Sequence, residues 1–223
     1  MTITAIIITN QEKLNKFLLE SLSFVDEVIV VIDSSVIDFA AQRNFALAKS
    51  TSDWVLFVDD DEYVGQELAR EIPLTIASSK EAAFLIKRLD VVFHQTLSHG
   101  ETGHIKMVRL ARRNAGKFIR PVHEIWKING RVGELQSPLY HIKDHFISEF
   151  IGRMSHYGQI DSQILTQEDK PFSYFRLLFY PKAKFFQNYL FKLGFLDGLV
   201  GFFQAYLMSI QSLTVRVFQW EKN

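Results

Sequence analysis

Through residue 89 the chain alternates short apolar runs with amphipathic stretches. Residues 3–9, ITAIIIT, are β-branched and nearly all apolar, which predicts a strand covered on both faces within a parallel sheet. Residues 11–22, QEKLNKFLLESL, set Leu14, Phe17, Leu18 and Leu22 on one helical face. A second buried strand is predicted at 27–32, EVIVVI, ending on Asp33, and a helix at 39–49, FAAQRNFALAK. A third strand covers 53–58, a helix follows at 64–72 and closes at Pro73, and AAFLIKRL at 82–89 predicts a further strand. This βαβαβαβ order predicts an α/β fold with an open, mostly parallel sheet flanked by helices. In such sheets ligands bind beyond the C-terminal strand ends. Those ends carry Thr9–Asn10, Asp33–Ser34 and the acidic run Asp59, Asp60, Asp61 and Glu62, so the three should line one crevice.

After residue 90 the pattern loosens into short strand-like runs, turn glycines and scattered polar groups, the texture of an antiparallel extension. Near residue 145 it changes again. Residues 170–196 hold Lys170, Arg176, Lys182, Lys184 and Lys192, no acidic residue and ten aromatics, and LGFLDGLVGFFQAYLMSI follows at 193–210. That run approaches the roughly 20 apolar residues that span a bilayer, but Asp197, three glycines and Gln204 interrupt it. It predicts interfacial or re-entrant helices with cations toward anionic headgroups. The same helices could instead pack on the preceding α/β domain or, as a homodimer, on a second copy. The expected organisation is a domain over 1–145 and an aromatic-rich helical extension over 146–223.

Composition adds exclusions. Twenty-five basic and 25 acidic residues balance, so global charge predicts no nucleic-acid partner, and the lack of cysteine removes disulfides and thiolate metal sites. The N-terminus, MTITAIIITNQEK, lacks a basic segment before its apolar run and does not read as a signal peptide.

The acidic run carries the sharpest chemistry. An Asp-x-Asp on a loop after a strand suits a hard divalent cation, with diphosphate oxygens completing its shell; the plainer reading is a solvated acidic turn. Phosphatases of the haloacid-dehalogenase type place their aspartates after the first strand, which is not the case here, and the glycine-free TNQEKL is no phosphate loop. No Walker A or GxGxxG sequence occurs. Asp33 could accept from a nucleobase N–H, or simply cap a turn. VHEIW at 122–126 begins like a zinc-protease motif and fails, because Lys127 stands where the second histidine belongs. Glu124 is then a candidate general base or the partner of a nearby arginine such as Arg120. His141 and His145 have the spacing of a surface-helix pair, and His141 alone could be a metal ligand.

TNQEKL, EVIVVIDSS, AQRNFALAKSTSDWVLFVDDDEYV, KMVRLARR, VHE and SPLYHIKD together resemble, in that order, the family 2 inverting glycosyltransferases, nearest the bacterial lipopolysaccharide-core glucosyltransferases. The resemblance implies a GT-A fold, a nucleotide-sugar donor with a UDP-sugar favoured, and Mg²⁺ or Mn²⁺. It implies a glycan or lipid-linked acceptor in cell-envelope synthesis, at the cytoplasmic side and peripheral on the inner face of the membrane. By position, Thr9, Asn10 and Glu12 match the first nucleotide-binding loop, Asp33 the base-binding aspartate, and Arg43 and Asn44 the helix start facing the donor. Asp59 and Asp61 match the DxD pair, with Asp60 between them; Asp61 is the expected direct metal ligand, and Asp59 lies nearer the ribose. Glu124 is the expected catalytic base and His141 a further metal ligand. The family has another acidic loop, helix and strand between its counterparts of Asp33 and Gln42, whereas here only SSVIDFAA intervenes. That shortening opens a second reading, a non-catalytic nucleotide- or glycan-binding scaffold at the membrane.

Overall fold

The computed structural model describes residues 1–11, 13–32, 38–120 and 124–223. It divides into two units, Met1–Leu89 with Ile105–Ile142, and Asp90–His104 with Lys143–Asn223.

In the first unit, β1 (Ile3–Thr9) pairs in parallel with β2 (Glu27–Ile32) on one side and β3 (Trp54–Asp59) on the other. The path continues antiparallel through β7 (Lys106–Arg112) to β5 (Ala83–Val92), and β10 (Val132–Glu134) adds to β5 in parallel. A tight turn joins β3 to β4 (Glu62–Val64), which pairs antiparallel with β11 (Leu139–Ile142). A separate hairpin pairs β8 (Gly116–Ile119) with β9 (Ile125–Ile128). One core layer joins Ile3, Ala5, Ile7, Trp54, Leu56 and Val58 to Leu68, Ile72 and Ile76 of α3 (Gln66–Ser78). The opposite sheet face packs Ile6, Val31, Val55 and Phe57 against Ala40, Ala46 and Leu47 of α2 (Phe39–Lys49) and against Phe118 and Trp126.

This is the expected α/β fold with a parallel-rich sheet and a C-terminal helical extension, but several elements differ from the sequence reading. The helix expected at 11–22 is α1, Lys16–Ser21, because Asn15 caps it by accepting from the Phe17 N–H at 2.9 Å. The helix expected to close at Pro73 runs through it to Ser78, since Leu68, Ile72 and Ile76 form one continuous buried stripe. Burying that stripe outweighs the one helical bond a proline removes. β2 is not a buried strand. Val28 and Val30 are each 39 % exposed and Ile32 56 %, because β2 ends the strand path. The apolar run EVIVVI looks the same in a central strand and in an edge strand.

In the second unit, β6 (Gln95–Leu97) pairs with the Asp90–Val92 end of β5. Val92 and Leu97 bury with Phe146 of α4 (Phe146–Gln167) and Val200 of α6 (Gly198–Glu221). These contacts place Asp90–His104 with the helical unit. α5 (Tyr174–Phe186) continues into a π-helical stretch, Gln187–Phe191, and packs along α6. Asp197 ties the segment down, accepting from the His99 N–H at 2.8 Å and meeting His99 Nδ1 at 2.7 Å. Residues Gly194–Glu221 are long and apolar enough to cross a membrane by length and composition.

Candidate active site

Four consecutive carboxyl groups would repel one another if they shared one volume. The β3–β4 turn separates them. Asp59 closes β3, and Glu62 opens β4 with its side chain inside the protein, where its Oε2 accepts from the Asp59 N–H at 3.0 Å. Asp60 accepts from the Thr9 hydroxyl, joining the ends of β1 and β3; the third expected end, Asp33–Ser34, lies outside the described residues. Asp61 points outward, its Oδ2 lying 2.9 Å from Nε2 of His141. His141 stands on β11 opposite Glu62 of β4, so it belongs to a strand and not to the surface helix that its spacing from His145 suggested.

The positive partner of the run is a pair of arginines. Arg109, buried on β7, donates to both oxygens of Asp59 and to Glu62 Oε1 at 2.7 Å. Arg43 of α2 donates from Nη2 to Asp59 Oδ1 and from Nε to Glu124 Oε1, each at 2.9 Å. Burial by itself would raise the Asp59 carboxyl; the Arg109 and Arg43 guanidiniums outweigh it and hold that carboxyl well below its ordinary range. Burial raises Glu62, and the Asp59 charge adds to that rise against the pull of Arg109. Burial disfavours the charged Arg109, yet Asp59 and Glu62 together push its pKa up. Arg109 was not singled out from the sequence. The signal was there in KMVRLAR: an arginine in the middle of an otherwise apolar strand must find carboxylates when it is buried.

Arg43, Asp59, Arg88, Lys106, Arg109 and Glu124 line a cleft of about 570 Å³, together with Phe57, Phe118 and Trp126. Its wall is rich in cations. A wall of guanidinium and ammonium groups is of the kind that phosphate oxygens accept from. Glu124 reaches Arg43 across the fold and not the neighbouring Arg120.

The other predicted residues are distributed as follows. Thr9 is buried and bonded to Asp60, while Asn10 is exposed at the end of β1. Asn44 is spent on structure: its Nδ2 donates to the Phe118 carbonyl at 2.9 Å and its Oδ1 accepts from the Phe118 N–H at 2.8 Å, which fastens α2 to β8. Glu12, Asp33 and the His123 beside Glu124 lie outside the described residues. For a divalent cation, the donor chemistry fits Asp61 and His141, two oxygen and nitrogen donors already side by side. It does not fit Asp59, whose oxygens both accept from guanidinium N–H groups. No cluster of three such ligands occurs among the described residues.

Comparison with known proteins follows this geometry. A glycosyltransferase of Rickettsia typhi is 28 % identical over 212 residues, covering 78 % of this chain and 72 % of the relative. LpsC of Rhizobium meliloti, a lipopolysaccharide core biosynthesis glycosyltransferase, is 24 % identical over 180 residues, covering 76 % and 67 %. The chain is similar to glycosyltransferases, a lipopolysaccharide-core enzyme among them. A glycosyltransferase of Rickettsia felis is 24 % identical over 241 residues, covering 93 % of this chain and 85 % of its own. No protein-family model matches the chain. Among solved structures, S. aureus TarS 1–349 in complex with UDP overlaps at TM-score 0.48 and 18 % identity, covering 100 % of this chain and 92 % of that one. That overlap is too loose to carry residue correspondences.

Proposed function

We propose that the chain is an inverting glycosyltransferase of family 2 with a GT-A fold, moving a sugar from a nucleotide-diphosphate sugar, UDP-linked by preference, to a hydroxyl of a glycan or lipid-linked acceptor in cell-envelope synthesis. The observation that carries the reading is the cleft, which combines one candidate base, Glu124, with a wall of Arg43, Arg88, Lys106 and Arg109. A nucleoside diphosphate is an anion that such a wall suits. Inversion needs a single displacement, in which a carboxylate takes the acceptor hydroxyl proton as that oxygen attacks the anomeric carbon opposite the leaving diphosphate. Glu124 has the means: Oε1 is oriented by Arg43, and Oε2 has no hydrogen-bond partner among the described residues. Arg43 couples this base to Asp59 through one guanidinium, so the donor wall and the base are positioned together.

Asp61 and His141 would hold Mg²⁺ or Mn²⁺, an ion that offsets charge building on the leaving diphosphate. In the arrangement described, Asp59 acts as the anchor of two arginines and not as a third ligand. The exposed aromatic helices fit a peripheral contact with the inner face of the membrane, where a lipid-linked acceptor would be met. The scaffold reading draws on the exposed edge strand β2, whose outer neighbour in the family is missing here. Calorimetric titration with UDP, with and without Mn²⁺, and UDP-sugar hydrolysis separate the readings: metal-enhanced binding lost in Asp61→Ala together with Glu124-dependent hydrolysis supports the enzyme with its ion, metal-enhanced binding without hydrolysis supports a nucleotide-binding scaffold, and no binding of UDP, GDP, CMP or dTDP supports a glycan-binding one.

A further inference from the structure

Arg43 is gripped from a side that its two ion pairs do not use. Its guanidinium carbon lies over the Phe57 ring at 5.4 Å and over the Phe118 ring at 5.6 Å. Those two rings meet edge to face, 4.9 Å apart at 74°, and Trp126 stacks on Phe118 at 4.8 Å. Phe57 and Phe118 are buried, and the Arg43 side chain is 12 % exposed, so little water reaches the contact. A cation within about 6 Å of a ring centroid is attracted by the ring quadrupole, more strongly where water is excluded, and the flat guanidinium suits such a face.

Consecutive residues of α2 hold Phe118 twice. Arg43 meets its ring, and Asn44 brackets its backbone, donating to the carbonyl at 2.9 Å and accepting from the N–H at 2.8 Å. Phe118 stands on β8 opposite Trp126 of β9, and Glu124 immediately precedes β9. The hairpin therefore carries both the ring that holds Arg43 and the carboxylate that Arg43 orients. The ion pairs alone do not fix that geometry. Asp59 also accepts from Arg109 at both oxygens, whereas Glu124 has only Arg43 among the described residues. A guanidinium free to tilt would keep Asp59 and release Glu124, and two ring faces oppose the tilt. Core packing at position 118 asks only for apolar volume; it does not ask for a ring face under a guanidinium.

We propose that Phe118, with Phe57, is a positioning residue: its ring face fixes the Arg43 guanidinium and, through Arg43, sets Glu124 Oε1. The ring acts through Arg43 and not by touching donor or acceptor. This role rests on the reading of Glu124 as the base, and it names what keeps that base in place.

The test replaces Phe118 in the full chain by phenylalanines carrying one, two and three ring fluorines, which drain the negative ring face stepwise and barely change its shape. Two quantities are measured: UDP release from UDP-sugars, and hydrogen exchange of the Arg43 Nε–H by NMR, assigned by its loss in Arg43→Met. With each added fluorine the exchange should quicken and turnover should fall, to about fivefold below the parent at three. Phe118→Leu, which keeps apolar bulk and loses the ring, should do at least as much. In the Arg43→Met background the same fluorine series should leave turnover flat, because the cation it acts on is gone. Exchange in the parent that does not respond to fluorine overturns the inference. So does a fluorine effect on turnover that is as large in Arg43→Met, which would make the ring a packing residue only. Quickened exchange with turnover unmoved, and Glu124→Gln equally active, upholds the hold on Arg43 and contradicts instead the reading of Glu124 as the base.

Discussion

At the residue scale, the acidic run is organised by what each carboxyl group meets. Asp59 and Glu62 are bound by Arg109, Asp60 by Thr9, and Asp61 by His141. The DxD spacing made the run conspicuous, but spacing along a chain does not say which way each side chain turns. The turn sends Glu62 inward and Asp61 outward, and only the tertiary placement of Arg109 decides that Asp59 is an anchor. Arg109→Met should lower unfolding stability by about 3 kcal/mol, because it strips the buried Glu62 of its hydrogen-bonded cation, leaving Arg88 at 3.8 Å, and leaves Asp59 with Arg43 alone; urea denaturation measures this. The Asp59 carboxyl is held below its ordinary value of 3.8, so its ion pairs add stability above that pH, and the contribution drains away as pH falls below it. Glu62, raised from 4.5, works in the opposite sense, its contribution being largest below that value. Melting temperature should therefore fall on acidification below pH 3.8 in the parent chain, and Asp59→Asn should flatten or invert that limb.

At the element scale, the sequence located most of the first unit because β1, α2 and β3 are bounded by sharp changes of pattern. It missed where neighbours decide. α1 begins at its Asn15 cap and not where polar residues begin to alternate with leucines, and α3 passes through Pro73 because its buried stripe does. β2 was legible as a strand but not as an edge, since the run EVIVVI has the same local pattern in a central strand and at the end of a sheet. Ile32→Lys should therefore change stability by no more than about 0.5 kcal/mol, and lysine on an exposed edge should reduce self-association. Loss of a few kcal/mol in thermal or urea melts would mean that β2 is buried after all. Gly116→Ala should go the other way: an added Cβ would sit 2.0 Å from the Lys127 carbonyl oxygen, prying β8 from β9 and, through the Asn44 bonds to Phe118, loosening α2.

At the scale of the whole molecule, the chain joins a sheet unit carrying a cationic cleft to a helical unit that displays Phe175, Phe179, Phe202 and Phe203 to solvent. The uneven distribution of phenylalanine was visible in the sequence, and so was the basic character of 170–196. The hold of Phe57 and Phe118 on Arg43 was not, because it joins α2, β3 and β8, whose mutual packing no local pattern encodes. Flotation with vesicles containing anionic lipid should carry the full chain upward, with binding weakened by added salt and by Phe175→Ser with Phe179→Ser; equal binding to neutral vesicles would remove the electrostatic part of that expectation.

The central claim is that Glu124, oriented by Arg43, is the base of a sugar transfer from a nucleotide donor. The most direct test is UDP release from UDP-sugars by the full chain, compared between the parent and Glu124→Gln, with UDP affinity measured on the same samples. The account predicts a fall in turnover of about 10²–10⁴ with UDP affinity within a few-fold of the parent. Unchanged turnover in Glu124→Gln would contradict it and move the base to another residue.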